Sequence, residues 1–245
     1  MSNKSKTELG IFIKSPTIEI IECCGIVGMD FAVIDMEHTP LSPRDLIPLV
    51  LASETRELKL IVRLPNLNEE YFKWCLDLGI KHLQVPHIET TMDVDKVINS
   101  SFFYPIGQRG LCRAVRAADY SNMNKKDYLD HSNSKVEVIF QIEGIQGFNN
   151  LNQILNHDGV NSIFIGPYDL SQSLGSPGDI WNTAIVDKMK KIIKDCNDQS
   201  ISGGVFTDTI DGLKFWSNLD VDFIEYGSDM MLFSEALKKL KSYKD

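Results

Sequence analysis

The sequence predicts a closed (β/α)8 barrel, and three observations lead there. Short β-branched or aromatic runs recur along all 245 residues. Their apolar character is nearly continuous, as in strands covered on both faces of a parallel sheet. Most gaps between them hold segments of helical length, the crossovers that parallel strands require.

The first run is LGIFI at 9–13 and the second FAVID at 31–35, followed by a helix expected over Ser42–Glu54. Ser42-Pro43 supplies an N-cap and a proline suited to the first helical position. KLIVR at 59–63 leads into a helix over Glu69–Leu78, with Gly79 placed to end it. HLQVP at 82–86 is followed by the longest irregular stretch, roughly 103–133, which reads as a lid or active-site loop. The fifth and sixth runs are VEVIFQIE at 136–143 and NSIFIG at 161–166, with helices expected over Phe148–Asn156 and Ile185–Cys196. GGVFT at 203–207 and DFIEYG at 222–227 complete eight, and Met230–Leu240 is an apolar-striped helix at the end. Eight units in this length fit a barrel better than an open doubly wound sheet, and no GxGxxG follows any strand. No repeat or linker divides the chain, so residues 1–245 read as a single domain.

Bulk properties narrow the function. A formal net charge of -9, with the acidic residues spread along the chain, speaks against nucleic acid or an anionic membrane as partner. The polar N-terminus and the lack of any long apolar run indicate neither a signal peptide nor a membrane span. Five cysteines without a CxxC pair fit reduced, cytoplasmic thiols better than disulfides or a zinc-thiolate site.

Chemistry in such a barrel sits at the C-terminal ends of the strands. Asp35, Glu37 and His38 end or follow the second strand, Arg63 ends the third, Glu143 ends the fifth and Asp169 lies beyond the sixth, so all six should meet at one mouth. A carboxylate at the position of Glu143 would be desolvated unless a cation compensates it, which calls for a metal or an arginine. With Asp169 as a second oxygen donor the pair suits Mg²⁺ or Mn²⁺; the bland alternative is a buried salt bridge to Arg63 or Arg109, with Asp169 capping the next helix. Asp35 and His38 can form an acid–base dyad, although a loop histidine with one backbone hydrogen bond is as ordinary. Arg63 either pairs with a carboxylate or holds an anionic oxygen. His82, His87, His131 and His157 carry no ligand spacing and read as surface or packing residues, with some reserve for His87 after a strand end. No lysine ends a strand, Lys59 beginning its own, so a Schiff base is not expected. Gly227-Ser228-Asp229 reads as a simple turn.

The segments DFAVIDMEHTP (30–40), IVRLP (61–65), LGIKHLQVPHIE (78–89), YPIGQRG (104–110), QIEG (141–144) and GVNSIFIGPYDLSQSLGSPGD (159–179) resemble the HpcH/HpaI aldolase family in order and spacing, over nearly the whole chain. The resemblance implies that Glu143 and Asp169 bind a divalent metal, Mg²⁺, Mn²⁺ or Co²⁺, and that Arg63, Asp35 and His38 serve catalysis. It puts Glu37, Gln141, Gly166, Pro167 and Tyr168 around the metal, its waters and the substrate carboxylate. The implied reaction is reversible aldol cleavage of a 4-hydroxy-2-oxo acid to pyruvate, or a related 2-oxo acid, and an aldehyde. The metal would serve as Lewis acid, Arg63 as a second positive group, and His38 with Asp35 as the base for the C4 hydroxyl. It also implies a homo-oligomer, trimer or hexamer, with the C-terminal helix exchanged between subunits. Arg113 and Arg116 fall where relatives vary, and can read the far end of the aldehyde or be solvated. A decarboxylase or a CoA-thioester lyase can use the same residues, and a silent oxo-acid-binding barrel is the remaining alternative.

Overall fold

In the computed structural model, which describes residues 6–244, eight parallel strands close in sequence order, β1 pairing with β8. They are β1 (Glu8–Ile13), β2 (Phe31–Asp35), β3 (Lys59–Arg63), β4 (His82–Val85), β5 (Glu137–Ile142), β6 (Ser162–Ile165), β7 (Ser202–Thr207) and β8 (Phe223–Ser228). The expected fold class stands, with strand limits displaced by a residue or so; Glu143 follows β5 instead of belonging to it.

The helices are α1 (Ile18–Val27), α2 (Leu46–Thr55), α3 (Glu69–Asp77), α4 (Thr91–Ser101), α5 (Lys125–Lys135), α6 (Ile145–Asn149), α7 (Leu151–Leu155), α8 (Pro167–Ser173), α9 (Thr183–Asp198), α10 (Ile210–Ser217) and α11 (Asp229–Ser242). Ser42 and Asp45 form a capping box, but around a 3-10 turn at Pro43–Asp45 that precedes α2. Gly79 follows α3 at φ 91°, where a side chain would be strained. The helix expected over Phe148–Asn156 is two short ones meeting at Asn150. The stretch 103–133 is less irregular than its composition suggests, holding a 3-10 segment at Arg116–Ser121 and most of α5. Arg113 and Arg116 brace it: Arg113 Nη2 donates to the carbonyls of Ser121 (2.8 Å) and Met123 (2.5 Å). Arg116 donates to the Leu78 carbonyl (2.8 Å) and pairs with Glu54 (2.5 Å). Neither lines the mouth cavity described below, so their proposed contact with an aldehyde is set aside.

Two cores result. The larger lies between strands and helices and includes Ile34, Val62, Leu83, Ile142 and Ile165. Inside the barrel, Phe12, Phe31, Val33, Ile61, Ile139, Phe164 and Phe223 form a plug. Each fully buried large side chain contributes roughly 1.5–3 kcal/mol. Small residues make room for it: a Cβ on Gly10 would lie 2.0 Å from the Phe31 ring, and one on Gly204 2.1 Å from that of Phe223. Because side chains alternate along a strand, the inward row that carries the plug continues upward as Asp35, Arg63, Gln141 and Glu225. Polar groups therefore begin where the aromatic floor ends.

Candidate active site at the C-terminal mouth

A cavity of about 490 Å³ opens above that floor, lined by Phe12, Lys14, His38, Arg63, Gln141 and residues 166–169 among others. A larger hollow of about 730 Å³ lies at the other end of the barrel, between residues such as Lys59, Glu137 and Asp222. That N-terminal end serves stability in folds of this kind, so the smaller, upper cavity is the candidate site.

Asp35 organises one side. It is fully buried and grips the Arg63 guanidinium with both oxygens, Oδ1 to Nε at 2.9 Å and Oδ2 to Nη2 at 2.8 Å. Lys14 Nζ also donates to Oδ2. The backbone N–H groups of Glu37 (3.0 Å) and His38 (3.3 Å) donate to Oδ1. Burial would raise its pKa, but the hydrogen bonds and charges of Arg63 and Lys14 outweigh that and hold it well below the usual carboxylate range. With its oxygens so occupied, Asp35 positions the His38 main chain and does not orient the imidazole. The expected Asp35–His38 dyad is thus replaced by an Asp35–Arg63–Lys14 cluster. Arg63 is further fixed by Glu37 Oε2 at 3.2 Å from Nη1 and by the Phe12 ring, 4.5 Å away.

Lys14 corrects a second expectation. It directly follows β1 and lines the cavity, so a lysine does stand at a strand end. Asp229, at the start of α11, accepts hydrogen bonds from the backbone N–H groups of Lys14 and Ser15, both at 2.9 Å, and so ties this loop to the last helix. The 227–229 turn is accordingly a helix start, with Ser228 capping the Met231 N–H.

Glu143 faces Glu37 across the mouth. His87 bridges them, Nδ1 to Glu143 Oε1 at 2.8 Å and Nε2 to Glu37 Oε1 at 3.2 Å. Ligand atoms of the three residues all lie within 4.8 Å of one another. Glu143 takes no arginine. Its partners are the His87 N–H (2.7 Å) and ring and the Gln141 amide, while Arg109 pairs with Asp77 (2.7 Å). Glu37 has its pKa pushed up to about 7, first by burial, with Glu143 adding to the rise and Arg63 opposing it. Its Oε2 is buried, facing Arg63 Nη1 at 3.2 Å and His38 Nε2 at 3.7 Å. Gly166 closes the back wall, since a Cβ there would stand 2.9 Å from Glu143 Cβ and 3.1 Å from its Oε2. Two carboxylates withdrawn from solvent, with an imidazole between them and their ligand atoms converging, fit a divalent cation.

Asp169 is exposed in the first turn of α8, whose N-cap is Gly166, and lines the cavity without belonging to that three-residue cluster. His87, expected as a surface or packing residue with a reserve for its place after a strand end, is exposed but sits between the two carboxylates, and its φ of 59° is a further sign of constraint. His82 pairs instead with Glu137 (3.0 Å) at the N-terminal end of the barrel, and His157 with Asp95 (3.1 Å). Tyr168 donates to Asp208 at the rim, and burial followed by this hydrogen bond pushes its pKa to about 12.

The fold is a parallel (β/α)8 barrel, and its candidate site lies at the C-terminal mouth. The HpcH/HpaI aldolase/citrate lyase profile matches residues 8–236, and the chain belongs to that family and is a carbon–carbon lyase. It is 28% identical over 219 residues to a 5-keto-4-deoxy-D-glucarate aldolase of Escherichia coli O6:H1, covering 89% of this chain and 85% of that one. A family member from Burkholderia cenocepacia superposes with a TM-score of 0.93 at 27% identity, over 99% of this chain and 96% of that one. The citrate synthase SbnG gives 0.87 at 25% identity, over 98% and 93%. No described helix is long and apolar enough to cross a membrane.

Proposed function

We propose that the protein is a divalent-metal-dependent aldolase that reversibly cleaves a 4-hydroxy-2-oxo acid to pyruvate, or a related 2-oxo acid, and an aldehyde. The observation that carries this reading is the Glu37–His87–Glu143 group, in which buried Glu143 has no arginine or lysine against it among the described residues while Glu37 shares the locked Arg63. Glu143 and Asp169 would hold Mg²⁺, Mn²⁺ or Co²⁺, with Glu37 and His87 as further donors within reach of Glu143. When bound, such an ion supplies Lewis acidity toward the keto and carboxylate oxygens of the 2-oxo acid.

The chain's own groups do the rest. Arg63 and Lys14 present two cations to the negative charge that grows on the keto oxygen as the C3–C4 bond breaks. His38 is the base for the C4 hydroxyl proton: burial first and Arg63 second lower its pKa, so the imidazole is neutral and ready to accept. Gln141 and the Gly166–Tyr168 turn flank the substrate carboxylate, and the Phe12–Phe164 floor excludes water below it. The apolar residues Leu232, Phe233, Leu237 and Leu240 of α11 are exposed, which supports assembly into a homo-oligomer through that helix.

The test is pyruvate release from 4-hydroxy-2-oxo acids of varied chain length with Mg²⁺, Mn²⁺ or Co²⁺ and with EDTA. We expect metal-dependent release that is lost in Glu143→Ala. Release of CO2 without an aldehyde would replace the aldolase reading by a decarboxylase.

A further inference from the structure

Below the mouth, polar side chains from three strands form a line across the barrel interior. Gln84 on β4, Gln141 on β5 and Glu225 on β8 are all fully buried. Gln84 Nε2 donates to Gln141 Oε1 at 2.8 Å and to Glu225 Oε2 at 3.4 Å. Gln141 Nε2 donates in turn to Glu143 Oε2.

These directions are not interchangeable. Facing a carboxylate, Gln141 has to present its NH2 to Glu143, which leaves its oxygen pointing inward. That oxygen needs a donor, and the amide of Gln84 supplies it. A flipped Gln84 would set oxygen against oxygen on Gln141 and lose that bond. The orientations along the line are therefore coupled, and the amide of Gln84 completes the one that Gln141 takes against Glu143.

Burial raises the stakes of this arrangement. Gln84 Oε1 and Glu225 Oε1 are both buried without a partner, two acceptors on residues already in contact. A proton on Glu225 would turn one of its oxygens from an acceptor into a donor. Desolvation favours that form and pushes the Glu225 pKa to about 8, Arg63 and the Gln84 hydrogen bond opposing the rise.

We propose that Gln84 and Glu225 are positioning residues, which through Gln141 hold the Glu143 carboxylate in the orientation that binds a divalent cation. The proposal rests on Glu143 as a metal ligand. It assigns no contact with substrate to either residue, and both act only through Gln141. Outer hydrogen-bond partners of metal ligands typically change metal affinity by about 10–100-fold.

The experiment is titration of the purified full-length protein with Mn²⁺, followed by electron paramagnetic resonance of the free ion, with circular dichroism as the check on folding. Gln84→Leu, Gln84→Met and Glu225→Leu are expected to weaken Mn²⁺ binding by about 10-fold or more. Glu225→Gln, whose amide offers the donor and acceptor of the protonated acid, is expected to stay within about threefold of wild type. The Met variant keeps the volume of Gln84, so a misfolded Leu variant does not end the test. Folded Gln84 variants that bind Mn²⁺ as wild type does would overturn the proposal, as would Glu225→Gln losing as much affinity as Glu225→Leu. A wild-type protein that binds no Mn²⁺ overturns the metal assignment of Glu143 and the relay with it. The wild-type titration alone reveals that outcome, which keeps the two failures distinguishable.

Discussion

Replacing Glu225 by Gln should make the protein more stable, and increasingly so as the pH rises. Glu225 is fully buried, and desolvation raises its pKa from the usual 4.5 to about 8, with Asp35 adding to the rise and Arg63 and Gln84 offsetting part of it. Below the unfolded value both states carry the proton and the carboxyl contributes fully. As the pH climbs from there to the folded value, the unfolded chain ionises while the folded one does not, and that contribution is lost at about 1.4 kcal/mol per pH unit. Between about pH 5 and 7.5 the loss reaches roughly 3 kcal/mol. Glutamine does not titrate, so the stability difference between variant and wild type should grow by that amount over this window. Above the folded pKa it should level off. Urea unfolding at fixed protein concentration and a series of pH values measures it, provided the slope with urea is unchanged. A difference that stays flat within about 0.5 kcal/mol would refute the reasoning, because it would mean that Glu225 ionises alike in both states.

Asp35→Asn should cost about 3–5 kcal/mol of stability at neutral pH, since it leaves Lys14 and much of Arg63 without their buried counter-charge; urea unfolding reads it directly. Asp35's folded pKa is depressed, so its contribution is present above the ordinary carboxylate pKa and is lost in acid; the wild-type advantage should shrink as the pH falls below about 4. Gly166→Ala should leave the barrel folded but displace Glu143, weakening Mn²⁺ affinity by about 10-fold or more; unchanged affinity would show that the wall can yield. Lys14→Met should lower kcat/KM by about 10–100-fold, the worth of one charge-assisted contact, without loss of fold. An unchanged kcat/KM would assign Lys14 to charge balance at Asp35 alone.

The barrel was legible because its signal is redundant. Eight apolar runs each report a strand buried on both faces, and an error of one residue at a strand end does not alter the closure. Helix boundaries carried less information. Asn150 divides one expected helix into two, and the segment 103–133 conceals α5, whose sequence KKDYLDHSNSK buries only Tyr128 and Ser132 and so shows no apolar stripe. A helix that rests on so narrow a contact leaves little periodicity to read.

The site was legible where a polar residue interrupts an apolar strand end, as at Asp35, Arg63 and Glu143. It was not legible where the chemistry depends on which of several partners a group selects. Asp35 and His38 are three positions apart, yet a buried carboxylate takes the strongest donors that geometry offers. Here those are the Arg63 fork across the β2–β3 register pair and the Lys14 ammonium from β1. Sequence distance is blind to that competition, because β1 and β3 flank β2 only once the sheet exists. His87 was hidden for the same reason: its neighbours Glu37 and Glu143 lie fifty or more positions away on either side, beyond β2 and β5. What the sequence did contain, and what can be read in other barrels, is the inward period of two. Gln141 and Glu225 interrupt the apolar interior rows of β5 and β8, Gln84 stands beside them on β4, and polar groups buried on that face have to find one another.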